Sequence, residues 1–282
     1  MNTLIEHTER IDTRLGALNA RSIGSGRTTV LWSSMFVDSH TWDRVVPLLA
    51  SGSAVPRRYV LIDPPGLGRS APLRRRSSIA EAADAARDCL DALSQGEPAD
   101  WVGNAFGGHV GLDLATDATS LRSLVAVSSP TKPIASDLRR KIALLAPLLR
   151  AAGPVGPVRD AIVAAMLTDA SAADPTTLQV VIDSLRRPAK ASMSLALRSF
   201  IIDRLDVTAA LPDIRVPSLF VASDDRGDWS PAEASHAADL APRARAVTIA
   251  GARTLIPLEQ PDALAAEILA FWAGPEEPET PG

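Results

Sequence analysis

The sequence of 282 residues is poor in the features that mark several special classes of protein. It contains one cysteine, Cys89, so no disulfide can form within the chain, and its alanine-rich helical surroundings favour a buried, inert thiol. The formal net charge of −4 excludes a strongly basic surface of the kind that binds nucleic acid. No stretch approaches the roughly 20 consecutive apolar residues of a membrane span, and early charges leave no apolar segment typical of a signal peptide. We therefore predict a soluble cytoplasmic protein with neither nucleic-acid nor membrane partners.

What the chain does contain is a repeated alternation of short apolar runs and helical patterns. The runs are rich in β-branched and aliphatic residues and occupy residues 28–32, 58–62, 124–128, 218–222 and 246–250. Such an alternation predicts an α/β fold, a doubly wound and mostly parallel sheet with helices on both faces. In sheets of this kind, ligands bind beyond the carboxyl ends of the strands. The loops that follow the predicted strands should therefore share one pocket.

The alternation stops between residues 131 and 210, where only helical patterns occur. Helices are predicted over residues 137–150, 158–167, 176–187 and 191–204, with prolines and glycines between them. We interpret residues 131–210 as a helical cap over the carboxyl edge of the sheet, inserted into a core formed by residues 1–130 and 211–274. The acidic, proline-rich tail 275–282 is predicted to be disordered.

A cluster of glycines follows the apolar start of the segment 100–109. The frame Gly103-Asn104-Ala105-Phe106-Gly107 has the form of a strand–turn–helix elbow, in which the central residue adopts a strained backbone and its neighbours must be small. Together with residues 39–45, 63–70, 214–221 and 257–264, this frame resembles the α/β-hydrolase superfamily over nearly the whole chain. The resemblance implies an α/β-hydrolase fold with a nucleophile, a histidine base, an acid and an oxyanion hole.

The positions that the resemblance assigns to the triad depart from the family pattern. Ala105 stands where the nucleophile is expected, and Thr254 stands where the histidine is expected in the segment 251–259. The acid position is ambiguous by one residue, between Asp225 and Arg226, and we favour Asp225 because loops absorb single-residue shifts. The sequence therefore resembles a family member that lacks the nucleophile and the histidine of the triad.

An oxyanion hole and an apolar pocket are also implied. The N–H of Phe106 should point into the pocket, and Ser33-Ser34-Met35 replaces the usual glycine-containing loop, where the hydroxyl of Ser34 could donate. The remaining pocket candidates are Met35, Trp42, Trp229 and Arg253, although each of the apolar ones could equally be core. His109, one turn into the elbow helix, is interpreted as a second-layer or core residue.

These residues favour a cofactor-independent, non-hydrolytic enzyme of the lyase, isomerase or cyclase type that acts on a small apolar carbonyl compound. In this hypothesis Asp225 acts as the base, aided by Arg253 or Arg226, and Ser34 and Phe106 stabilise negative charge on oxygen. Two alternatives stay open: a non-catalytic ligand-binding pseudoenzyme, and a residual hydrolase that activates water directly. We predict no metal, because no two histidines have ligand spacing on one face, and a homodimer through the cap's apolar helices is possible.

Overall fold

The computed structural model describes residues 6–94, 96–117, 119–225 and 229–274. Eight strands form one sheet. Their order across the sheet is β1-β2-β4-β3-β5-β6-β7-β8, with β1 and β2 antiparallel to their neighbours and all other pairs parallel. The strands are β1 (Glu6–Ile11), β2 (Leu18–Gly24), β3 (Arg27–Trp32), β4 (Arg57–Ile62), β5 (Ala99–Asn104), β6 (Leu121–Val127), β7 (Ser218–Ser223) and β8 (Ala244–Ile249).

Eleven α-helices among the described residues accompany this sheet. They are α1 (Val45–Gly52), α2 (Ile79–Ser94), α3 (Phe106–Leu114), α4 (Ser136–Ala152), α5 (Pro157–Met166), α6 (Asp169–Ala173), α7 (Pro175–Arg186), α8 (Lys190–Leu197), α9 (Pro231–Leu240), α10 (Ile256–Glu259) and α11 (Pro261–Trp272). The predicted doubly wound α/β fold is confirmed. Within the described residues, no helix combines the length and the apolar character needed to cross a membrane.

The central strands are apolar on both faces because helices cover both sides of the sheet. Val30 packs into one core with α2 and α3, whereas the next residue, Leu31, packs into the other core with α1 and α11. Successive side chains of a strand point to opposite faces, so a continuous apolar run fills two cores at once. Each fully buried aliphatic side chain contributes roughly 1.5–3 kcal/mol. The two layers hold the carboxyl ends of the strands, and hence the loops beyond them, in place.

The segment between β6 and β7 is helical, and its helices begin at local signals. Pro157 and Pro175 start α5 and α7, where a missing N–H does no harm. The side chains of Thr168 and Asp174 accept backbone N–H groups at the starts of α6 and α7. After α8 the chain continues in a π-helical turn, Arg198–Ile202. The assignment of residues 131–210 as a separate cap stays a prediction, and the tail 275–282 lies outside the described residues.

Candidate functional site

The elbow between β5 and α3 has the backbone that its glycine frame predicts. Ala105 has φ 47° and ψ −103°, a conformation that L-residues rarely adopt, and its N–H donates to the carbonyl of Val127 at 2.7 Å. A Cβ on Gly107 would lie 2.2 Å from the backbone oxygen of Trp32. A Cβ on Gly108 would lie 1.9 Å from Oγ of Ser129. The turn is therefore held by contacts that only glycine permits at these two positions.

A backbone donor follows Ala105 directly in the chain. Phe106 is the first residue of α3, so its N–H has no acceptor within the helix. Ser34 and Met35 follow β3 and border the same cavity as Ala105 and Phe106. These residues are the predicted oxyanion-type candidates, and the fold brings them to one wall of the cavity.

Thr254 is fixed to the helical segment and to the elbow at the same time. Its Oγ1 donates to the carbonyl of Ala165 at 3.0 Å, and its N–H donates to the carbonyl of Met166 at 3.2 Å. Its own carbonyl accepts from Nδ2 of Asn104, the residue before Ala105, at 2.8 Å. The hydroxyl proton of Thr254 is thus directed to α5.

Asp225 contacts Arg253 and is not part of the cavity wall. Nη2 of Arg253 donates to Oδ2 of Asp225 at 2.8 Å and lies 3.6 Å from Oδ1 of Asp169. Arg253 is 5% exposed, its Nη1 donates to the carbonyl of Ala164, and its backbone N–H donates to Oε2 of Glu259 at 2.7 Å. The carboxylate predicted to act as a base is therefore engaged by a buried guanidinium. The other candidate, Arg226, lies outside the described residues.

The two tryptophans that were candidates for the pocket lie in the cores instead. Trp42 is fully buried between the sheet and α1, and its Nε1 donates to Oγ of Ser33 at 3.1 Å. Trp229 is buried against Phe220, with ring centroids 5.7 Å apart. Neither tryptophan borders the cavity, so the prediction that they line the pocket is wrong. Large apolar rings gain most by complete burial, and both lie where the sheet meets a layer of helices.

A cavity of about 650 Å³ lies between the elbow and the helical segment. Its size is within the range of small-molecule sites. Phe106 forms part of its floor and stacks on Phe200, with ring centroids 4.4 Å apart. Met35, Arg253 and Thr254 also border it. Most of the wall is aliphatic and comes from the helical segment, including Ile134, Ile142, Leu145, Leu149, Ile162 and Leu197.

His109 and Arg204 form a polar corner of this otherwise apolar wall. His109 is buried, and its Nε2–H donates to the carbonyl of Pro130 at 2.9 Å. Burial, with the positive charge of Arg204 as the next cause, lowers the pKa of His109 to about 3, so the imidazole is neutral at pH 7. Nε of Arg204 donates to the carbonyl of Lys132 at 3.0 Å. The sequence did not mark Arg204 as a pocket residue, because it lies at the end of a predicted helix and no motif surrounds it.

The comparisons with known proteins agree with this architecture. Residues 24–267 match the model of the alpha/beta hydrolase family. Among solved structures, an enol-lactonase from Burkholderia xenovorans LB400 is 20% identical, with 94% of this chain and 99% of that chain covered and a TM-score of 0.83. A thermophilic esterase from Thermogutta terrifontis is 20% identical, with 94% and 98% covered and a TM-score of 0.82. The carboxylesterase CesB from Bacillus subtilis is 20% identical, with 96% and 93% covered and a TM-score of 0.77.

At these identities the structural likeness shows the fold alone. No curated protein sequence matches the chain. The family model, however, spans most of the sequence, from β2 to the middle of α11. The chain therefore belongs to the alpha/beta hydrolase family.

Proposed function

We propose that this protein is a non-hydrolytic member of its family, which binds a small, largely apolar carbonyl compound and converts it without an acyl-enzyme and without a cofactor. The proposal is supported by the residues at the three positions that the family resemblance assigns to the triad. Ala105 stands at the elbow, Thr254 stands where the resemblance expects the base, and Asp225 is held by Arg253 at 2.8 Å.

Each of these side chains is unsuited to hydrolysis for a chemical reason. The methyl group of Ala105 cannot attack a carbonyl carbon. A threonine hydroxyl is not a base near neutral pH, and that of Thr254 already donates to Ala165. The carboxylate of Asp225 accepts from Arg253 and does not border the cavity, so it is not placed to take a proton from a bound ligand. His109 resists protonation because its pKa is about 3.

The cavity is better suited to stabilising negative charge on a ligand oxygen. The N–H of Phe106 at the start of α3, aided by the loop at Ser34 and Met35, would polarise a carbonyl in a largely apolar site. Stabilisation of an enolate or oxyanion assists elimination, isomerisation, decarboxylation and cyclisation. These reactions correspond to a lyase, isomerase or cyclase.

A second candidate function is ligand binding without chemistry. It is favoured by the same engaged Asp225 and by the neutral His109, because both deprive the cavity of a ready proton acceptor. Both candidate functions use the same cavity. They differ in whether the ligand leaves the protein chemically converted or unchanged. A third candidate, hydrolysis by directly activated water, requires ester turnover that depends on Asp225.

The test combines an ester assay with a search for the natural ligand. Purified wild-type protein is incubated with p-nitrophenyl butyrate and, separately, with a small-molecule extract whose components are followed by mass spectrometry. We expect no nitrophenolate release above buffer and the conversion of one extract component into an isomer or an elimination product. Steady ester turnover by the wild type refutes the proposal, and recovery of an unchanged bound component favours the binding protein.

A matched pair of variants on α4 ties the result to the cavity. Leu145→Trp places a large ring in the cavity wall and should abolish conversion or binding of that component. Leu144→Trp changes the neighbouring residue, which is 79% exposed, and should leave conversion unchanged. If the two variants convert or bind the component equally well, the ligand does not bind in this cavity.

A further inference from the structure

Helix α4 carries apolar and basic side chains on its solvent side, beside the mouth of the cavity. Six large apolar side chains in the described part of the chain are exposed, and three of them, Leu138, Leu144 and Leu148, lie on α4. We infer that this side of α4 binds an anionic lipid surface, with its leucines among the acyl chains and its cations at the headgroups. The inference goes beyond the proposed function and is tested without any ligand in the cavity.

Two of these leucines form a stripe along the outer face of the helix. Leu144 is 79% exposed and Leu148 is 41% exposed, and residues four apart on a helix are neighbours on one face. Ala146 and Leu149 are buried on the other side of α4, so the stripe cannot turn inward without the loss of their contacts. Single exposed leucines are common, but adjacent ones beside a cavity mouth indicate a surface that is covered by something.

The charges of α4 are mostly of one sign. The helix contains four cations and one acid, namely Arg139, Arg140, Lys141, Arg150 and Asp137. Nη2 of Arg139 lies 3.9 Å from Oδ1 of Asp203, whereas the other three cations form no ion pair with any residue that the structure describes. Since the whole chain has a net charge of −4, this basic helix stands apart from the rest of the surface. Exposed leucines together with unpaired cations are typical of helices that lie in a lipid interface.

The same helix borders the opening of the cavity. Leu138 is 38% exposed and Lys141 is exposed, yet both line the cavity, so its mouth opens beside the stripe. If α4 lies on a lipid surface, this mouth faces the acyl-chain region. An apolar ligand can then enter the cavity without crossing water.

The charges favour a lipid surface over a second copy of the chain as the partner of α4. Two copies paired through this helix would bring four cations and one acid of each copy together, and like charges at close range repel. An anionic surface attracts the same cations. The expectation of no membrane partner rested on the absence of a spanning segment, which a helix lying on a surface does not need.

The experiment measures binding of the full chain to sedimented vesicles, made of phosphatidylcholine alone or of equal parts phosphatidylcholine and phosphatidylglycerol. We expect wild-type protein to bind the anionic vesicles about tenfold or more tightly than the neutral ones, and to lose this preference at high ionic strength. Leu144→Gln/Leu148→Gln, which keeps good helix formers in α4, should weaken binding to the anionic vesicles about tenfold. Arg140→Gln should weaken it about fivefold.

Two variants at the amino edge of the sheet, away from the cavity, are the matched controls. Val55→Gln removes an exposed apolar side chain before β4, and Arg122→Gln removes an exposed cation at the start of β6. Both should bind the anionic vesicles as tightly as the wild type does. Thermal melts check that every variant is folded.

No binding of the wild type to the anionic vesicles, or equal binding to the two kinds of vesicle, overturns the inference. Binding that survives Leu144→Gln/Leu148→Gln overturns the assignment to α4. A wild-type dimer in light scattering that this double variant converts into a monomer also overturns it, because the stripe then contacts a second copy. Ester hydrolysis by the wild type would refute the proposed function and leave the vesicle binding as measured.

Discussion

Placing a serine and a histidine at the positions that the resemblance assigns to the triad tests whether Arg253 keeps Asp225 from orienting the histidine. We compare Ala105→Ser/Thr254→His with the triple variant that also carries Arg253→Gly, which removes the guanidinium that engages Asp225. The double variant has a serine and a histidine at these positions but keeps Arg253, whose Nη2 lies 2.8 Å from Oδ2 of Asp225 in the wild type. The new histidine would then lack its orienting acid.

The magnitude follows from what that acid does in a triad. When a serine hydrolase loses the carboxylate that orients its histidine, kcat falls roughly 10⁴-fold, which corresponds to about 5.4 kcal/mol in the barrier. Arg253 is 5% exposed and also donates to Ala164, so it does not leave Asp225 without losing buried contacts. We therefore expect the triple variant to exceed the double variant by about 10³- to 10⁴-fold in kcat.

The assay is release of nitrophenolate from p-nitrophenyl butyrate, with labelling by a fluorophosphonate to count reactive serines. Arg253→Gly/Thr254→His, which keeps Ala105, is the blank for background hydrolysis. Thermal melts check that loss of Arg253 leaves the fold intact, since its buried guanidinium also donates to the carbonyl of Ala164. Equal rates for the double and triple variants would refute the blocking role of Arg253. Appreciable activity of Ala105→Ser alone would refute the placement of the histidine position at Thr254.

Further predictions concern stability. Ala105→Gly should raise the melting temperature by about 2 °C in calorimetry, because relief of roughly 1–3 kcal/mol of strain exceeds the entropic cost of glycine; a lower melting temperature would contradict the strain. Gly107→Ala should destabilise the fold by more than about 3 kcal/mol in urea unfolding, since its Cβ would meet the Trp32 carbonyl at 2.2 Å. His109, with a folded pKa of about 3, binds no proton between pH 6.5 and 3 while the unfolded chain does, so stability falls with decreasing pH. In that window, the free energy of unfolding of His109→Gln should therefore fall by about 1.4 kcal/mol less per pH unit than that of the wild type, as measured by urea unfolding. Equal slopes of the two free energies against pH would contradict the lowered pKa of His109.

Much of the site could be predicted because its parts follow strands. Ala105, Phe106 and Thr254 each come soon after a strand of the parallel sheet, so a common edge collects them whatever the details of the loops. Arg253 was one of two arginines expected to act with Asp225, but the direct ion pair between them could not be predicted, because the two residues are 28 positions apart and the pair depends on how two loops meet. Trp42 and Trp229 could not be distinguished from pocket residues by sequence alone. Burial and pocket lining demand the same apolar side chains, and only packing distinguishes them.

By itself, the sequence determined the α/β alternation, the strained elbow and the absence of a nucleophilic side chain at residue 105. These properties are local: the period of a strand or helix and the steric demand of a glycine act within a few residues. The tertiary structure alone decided that Asp225 binds Arg253, that Thr254 points to α5, and that Arg204 meets His109 inside the cavity. Those contacts join segments far apart in the chain, and their geometry depends on burial and charge that no local pattern encodes.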